Sequence, residues 1–126
     1  MDSETLLLRQ INPSFVQNGR PTSQAFRPTP KDENFLSVDD GSRVQPEASW
    51  KRFTNDPSCH SAGVMAVTFA ECSGQGLPVI EDGDPYPEHC LIDFSSLPRG
   101  SVERKAKVLV RHAIQRDWLF RELRQA

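Results

Sequence analysis

The sequence predicts an α+β fold: a mostly antiparallel sheet of four to six strands with a long C-terminal helix packed on one face, as a single domain over residues 1–126. Three observations predict it. Short apolar runs recur between turn residues, from Thr5–Ile11 onward. Ten prolines and seven glycines interrupt the chain too often for a helical bundle or a coiled coil. Sustained helical periodicity occurs once, after Ser101, so strands and helix are segregated rather than alternating.

Thr5–Ile11 (TLLLRQI) reads as a first strand, stopped by Asn12-Pro13. Asn18-Gly19 reads as a turn, and Pro21, Pro28 and Pro30 argue against helix in that stretch. Phe35–Asp39 is a short strand closed by Asp40-Gly41. Pro46 suits a first helical position and Glu47 the positive end of the dipole, so Pro46–Thr54 reads as a short helix ended by Asn55-Asp56-Pro57. Gly63–Glu71 (GVMAVTFAE) is apolar on both alternating faces, as expected of a central strand covered on two sides. Leu77–Ile80 and His89–Phe94 complete the strands, the latter with Cys90, Ile92 and Phe94 on one face. In the last helix, Ser101 suits an N-cap and Val102, Ala106, Leu109, Val110, Ala113 and Phe120 share one stripe. Asp117 falls in that stripe, so either an ion pair with Arg121 tolerates it or the helix kinks near Gln115.

The 126 residues match one core of roughly 100–150 residues. The apolar run Gly63–Ala70 is far short of the roughly 20 residues a membrane-spanning helix needs. Met1-Asp2-Ser3-Glu4 lacks the positive start of a secretory signal, and Cys59, Cys72 and Cys90 fit no disulfide framework, so the expected compartment is the cytoplasm. The formal net charge of −2 hides an asymmetry. Phe53–Pro98 contains no Lys or Arg, whereas Arg99–Ala126 carries eight basic residues (Arg99, Arg104, Lys105, Lys107, Arg111, Arg116, Arg121 and Arg124) against three acidic ones. Either the basic segment lies against the acidic middle of its own fold, or it presents a cationic helix to a partner.

Cys59-His60 and His89-Cys90 are pairs of potential ligands, but adjacent strand residues point to opposite faces, and no metal is expected. No nucleophile elbow, glycine-rich dinucleotide loop or phosphate-binding lysine motif is present. With ten aromatic residues and no basic–aromatic interleaving on a strand, nucleic acid is not an expected partner.

The informative constellation is polar. Arg9 interrupts the first strand on the face of Leu7 and Ile11, Ser37 interrupts the second, and His89 opens a late strand directly after Glu88. Polar groups on core strands are costly unless paired, so Arg9, Ser37 and His89 are expected to converge on a cleft. The alternatives are that Arg9 bonds an acidic group such as Glu71 or Asp93, with His89 a hydrogen-bonded core histidine, or that Arg9 holds an anionic ligand without catalysis.

The segments LLLRQ, FLSVD and PEHCLI resemble, in part, those of ADP-ribosyltransferase-like NAD-using toxin domains of the RES type. The resemblance implies a compact α+β enzyme in which Arg9 and Ser37 hold NAD, and Glu88 or His89 orients the acceptor. The S-T-S triplet, the glutamate motif and an aromatic stacking loop of that family are missing here.

Two functions are therefore expected. The first is a small interaction or accessory protein, with no cofactor, binding a protein partner through Trp118, Phe120 and Arg121, where an exposed aromatic would anchor the contact. The alternative is an NAD-using toxin or effector enzyme built on Arg9, Ser37, His89 and Glu88.

Overall fold

A computed structural model of the chain describes residues 1–28, 34–98 and 100–122. Pro30, Arg99 and Arg124, singled out above, lie outside the described residues. Eight strands are described: β1 (Leu6–Ile11), β2 (Val16–Gln17), β3 (Arg20–Pro21), β4 (Phe35–Asp40), β5 (Gly63–Thr68), β6 (Val79–Ile80), β7 (His89–Asp93) and β8 (Phe120–Arg121). The α-helices are α1 (Pro46–Thr54), α2 (Phe69–Ser73) and α3 (Ser101–Arg116), and Pro13–Phe15 and Ser23–Phe26 are short 3-10 helices. Six of the strands form one sheet in the order β6-β7-β4-β1-β5-β8, antiparallel at every pairing, and β2 and β3 form a separate hairpin. The fold is thus α+β, an antiparallel sheet carrying the C-terminal helix.

Alternation along the strands gives the sheet two unlike faces. Leu7, Ile11, Leu36, Val38, Met65, Val67 and Ile92 point to the side of α3, where they form the main core with Phe26, Phe94, Leu109 and Ala113. Leu8, Val64 and Ala66 point the other way, into a smaller cluster with Trp50 of α1 and Phe120 of β8.

Ser23–Phe26 forms a 3-10 helix in the stretch expected to hold none, β2 and β3 add an unexpected hairpin, and Gly100 rather than Ser101 is the N-cap of α3. Two larger elements also depart from the sequence expectation. The strand expected to run to Glu71 ends at Thr68, because Thr68 and Glu71 form a reciprocal capping box that starts α2: the Thr68 hydroxyl accepts from Glu71 N and the Glu71 carboxylate accepts from Thr68 N. The helix expected to carry Phe120 ends at Arg116, since Asp117 takes φ 73° and turns the chain back toward the sheet. The following residues form β8, pairing Phe120 with Val64 and Arg121 with Gly63. Glycine at position 63 permits this pairing, because a Cβ there would stand 2.3 Å from the Phe120 carbonyl oxygen.

Candidate functional site

Between β1 and β4 the described ladder covers only Leu7–Asp40 and Leu8–Asp39. Beyond Leu8, Arg9 bridges toward β4 through its side chain. Its Nε donates to Ala25 O at 2.9 Å, and its Nη1 donates to Ser37 O at 3.0 Å in a solvent-exposed bond. Over this region lies a cleft of about 350 Å3, lined by Arg9, Ser37, Asp39, Arg52, His60 and His89 among polar residues and by Phe15 and Phe53 among apolar ones. Arg9, Ser37 and His89 therefore line one cleft, although strand alternation sets Arg9 in the register of Leu7 and Ile11, while Ser37 and His89 point to the α1 side.

Glu88 is not among the lining residues. Its carboxylate is bonded by Arg52 Nη1, and its backbone oxygen accepts from Asp40 N. Of the acidic partners considered for Arg9, Glu71 is engaged elsewhere: both its oxygens accept from Arg116 and it lies 3.2 Å from His112 Nδ1. Asp93 accepts from Ser95 N and Oγ. Burial raises the Glu71 pKa, but the Arg116 and Thr68 hydrogen bonds and nearby positive charge outweigh it and hold the carboxyl below its usual value.

The wall of the cleft on the α1 side is a chain of hydrogen bonds. Ser61 Oγ donates to Gln10 Oε1 at 2.8 Å, Gln10 Nε2 to Ser49 Oγ at 2.9 Å, and Ser49 Oγ to Asp39 Oδ2 at 2.6 Å. Arg52 Nη2 also bonds Asp39 Oδ2 at 2.6 Å, and its guanidinium stacks 3.9 Å from the centre of the Tyr86 ring. Two charges that would be costly to desolvate singly, Asp39 and Glu88, thus share one guanidinium. His89 is fixed by the loop that precedes it: Gly83 N donates to His89 O, His89 N donates to Tyr86 O, and His89 Nδ1 lies 2.7 Å from Asp82 Oδ1.

Sequence reading missed Gln10, Asp39, Ser49, Arg52 and Asp82. A signal existed for two of them: Gln10 and Asp39, like Ser37 and His89, occupy alternate positions of core strands and so share one polar face. Arg52 and Asp82 reach the site from a helix and a loop.

The cysteines offer no competing nucleophile in the cleft wall. Burial, aided by Asp40, pushes the Cys90 thiol up to about 11, and burial pushes Cys72 up to about 12, so both are neutral thiols near pH 7. Among the described residues no group of three or more His, Cys, Asp and Glu is placed to hold a metal ion, and no helix is long and apolar enough to cross a membrane.

Trp118 and Phe120 are half-buried on internal contacts. The Trp118 indole N–H donates to Gly19 O at 3.2 Å, and the Phe120 ring lies 5.2 Å from that of Trp50. Arg121 is exposed and stacks over Trp118. Of the C-terminal basic residues, Arg116 lies against Glu71 of the acidic middle, whereas Arg104, Lys107 and Arg111 are exposed.

Comparison of the chain with protein-family models, with curated proteins and with solved structures returns no match.

Proposed function

We propose that this protein is a small ligand-binding domain that works through the Arg9 cleft and takes a compact anionic ligand of the NAD type. The observation that carries the reading is the presence of Arg9, Ser37 and His89, from three strands, in one cleft. The volume of about 350 Å3 is within the size range of small-molecule sites, about 300–1,000 Å3. The guanidinium supplies positive charge for a diphosphate, and Phe15 and Phe53 supply apolar wall for a ring. In the ADP-ribosyltransferase-like version, Arg9 and Ser37 hold NAD and His89, rather than Glu88, faces the acceptor, because Arg52 already engages the Glu88 carboxylate. A cytoplasmic setting belongs to this reading and is supported by three unpaired cysteines.

Titration calorimetry with NAD tests it. Arg9→Ala is expected to weaken binding at least about 10-fold, the loss of one charge-assisted hydrogen bond worth about 1.5–3 kcal/mol. Arg9→Lys keeps the charge and checks the result should Arg9→Ala unfold. Absence of NAD binding by the folded wild type, or equal binding by a folded Arg9 variant, overturns the reading.

A second reading, an interaction protein using Trp118, Phe120 and Arg121, is favoured by one observation: Arg121 is exposed on β8, an edge strand of the sheet. Here a site-specific crosslinker at the exposed neighbouring position 122 should capture a defined protein partner, and Arg121→Glu in the same chain should abolish the capture while the protein stays folded.

A further inference from the structure

We infer that Ser37 and His89 of the same cleft, with Asp82 against His89, form a nucleophile–base–orienter set able to transfer acyl groups from small activated esters and thioesters. It shares the cleft with the reading above but does not depend on the ligand proposed there.

The orienting contact is the 2.7 Å approach of Asp82 Oδ1 to His89 Nδ1. An ionised carboxylate only accepts, so Nδ1 carries the proton and Nε2 is left as the basic nitrogen. The loop is folded back to deliver Asp82: the Gly83 N–H to His89 O bond, at 3.1 Å, adjoins it directly. The nucleophile follows from register. Ser37 pairs with Leu91, and Asp39 with His89, so Ser37 and His89 are diagonal neighbours on one face. That diagonal is about 7–8 Å between Cα atoms, and somewhat less between Cβ atoms, a span that an imidazole and a hydroxyl together cover.

Ser37 is exposed, and among the described residues its hydroxyl has no hydrogen-bond partner, whereas the Ser49 and Ser61 hydroxyls on the same side are held in the network. Arg9 Nη1 donates to the backbone carbonyl of Ser37 and so pins the strand that carries the hydroxyl.

The step balances without a co-reactant other than water. Ser37 Oγ bonds to the carbonyl carbon as its proton passes to His89 Nε2. The carbon–oxygen or carbon–sulfur bond breaks, and the leaving alcohol or thiol takes that proton. Water, deprotonated by the same nitrogen, then releases the acid and restores Ser37.

The test is labelling of the full chain with a fluorophosphonate, read by intact and peptide mass. One adduct is expected, on Ser37, with loss of fluoride. It should be absent in Ser37→Ala and form about 100-fold more slowly in His89→Gln. Asp82 is a positioning residue, so Asp82→Asn should slow labelling and also remove the preference for the Nδ1–H tautomer in the His89 ring 15N spectrum, with Asp82→Glu restoring part of both. Labelling of Ser37→Ala at the wild-type rate, an unlabelled but folded wild type, or a His89→Gln rate equal to wild type overturns the inference. NAD calorimetry reads the ligand and mass labelling reads the nucleophile, so failure of one proposal is distinguishable from failure of the other.

Discussion

The two faces of this sheet are made from the same strands and do opposite things. Toward α3, residues from β1, β4, β5 and β7 meet Phe26, Phe94, Leu109 and Ala113 in one sealed apolar layer. Toward α1, the apolar cluster is small and gives way to a polar wall running from Ser61 through Gln10, Ser49 and Asp39 to Arg52. Non-directional burial on one side holds the backbone in place. Directional hydrogen bonds on the other can then be spent on aligning side chains around a cleft. The pleat makes this division of labour possible, since neighbouring residues such as Val38 and Asp39 serve different faces at no extra cost in chain.

If the sealed face carries the stability, truncating it should dominate every other substitution. Phe94→Ala, at a fully buried ring, is expected to cost about 3–5 kcal/mol in urea unfolding. Asp39→Ala, which removes an acceptor shared by Ser49 and Arg52, is expected to cost about 1.5–3 kcal/mol. A larger loss for Asp39→Ala than for Phe94→Ala would reverse the comparison.

The smallest effect sharpens it at acid pH. Glu71, which ties α2 to α3, is ionised more readily in the fold than in the unfolded chain. Its contribution is therefore complete above its unfolded value near 4.5 and is lost as pH falls through the lower folded value. Glu71→Gln should flatten the acid limb of a stability–pH profile.

Much of the architecture was legible in the residues. Pro46–Thr54 forms the helix its Pro and Glu signal, and β1, β4 and β7 lie within a residue of their apolar runs. The misreadings have local causes. Thr68-Phe69-Ala70-Glu71 continues an apolar run yet holds a capping box, which stops the strand. Trp118-Leu119-Phe120 continues a helical stripe, yet the positive φ of Asp117 and the bare backbone of Gly63 convert it into an edge strand. In the cleft, Arg9, Ser37 and His89 stood out as polar interruptions of apolar strands. Arg52 and Asp82 lie in polar surroundings where an Arg or Asp is ordinary, so nothing local marked them.

What the sequence determined alone was the longer elements β1, β4, β7 and α1, the body of α3, and the alternation that gives each strand an apolar and a mixed face. Periodicity, caps and turn residues act over a few neighbours, and those neighbours are present in the chain itself. Only the tertiary structure decided that β1 lies between β4 and β5, that Arg9 reaches a carbonyl on β4, and that Asp82 stands against His89. The first two depend on how distant segments bury their apolar faces together, and the third on how the loop before β7 folds back on it, so none leaves a mark on the residues beside it.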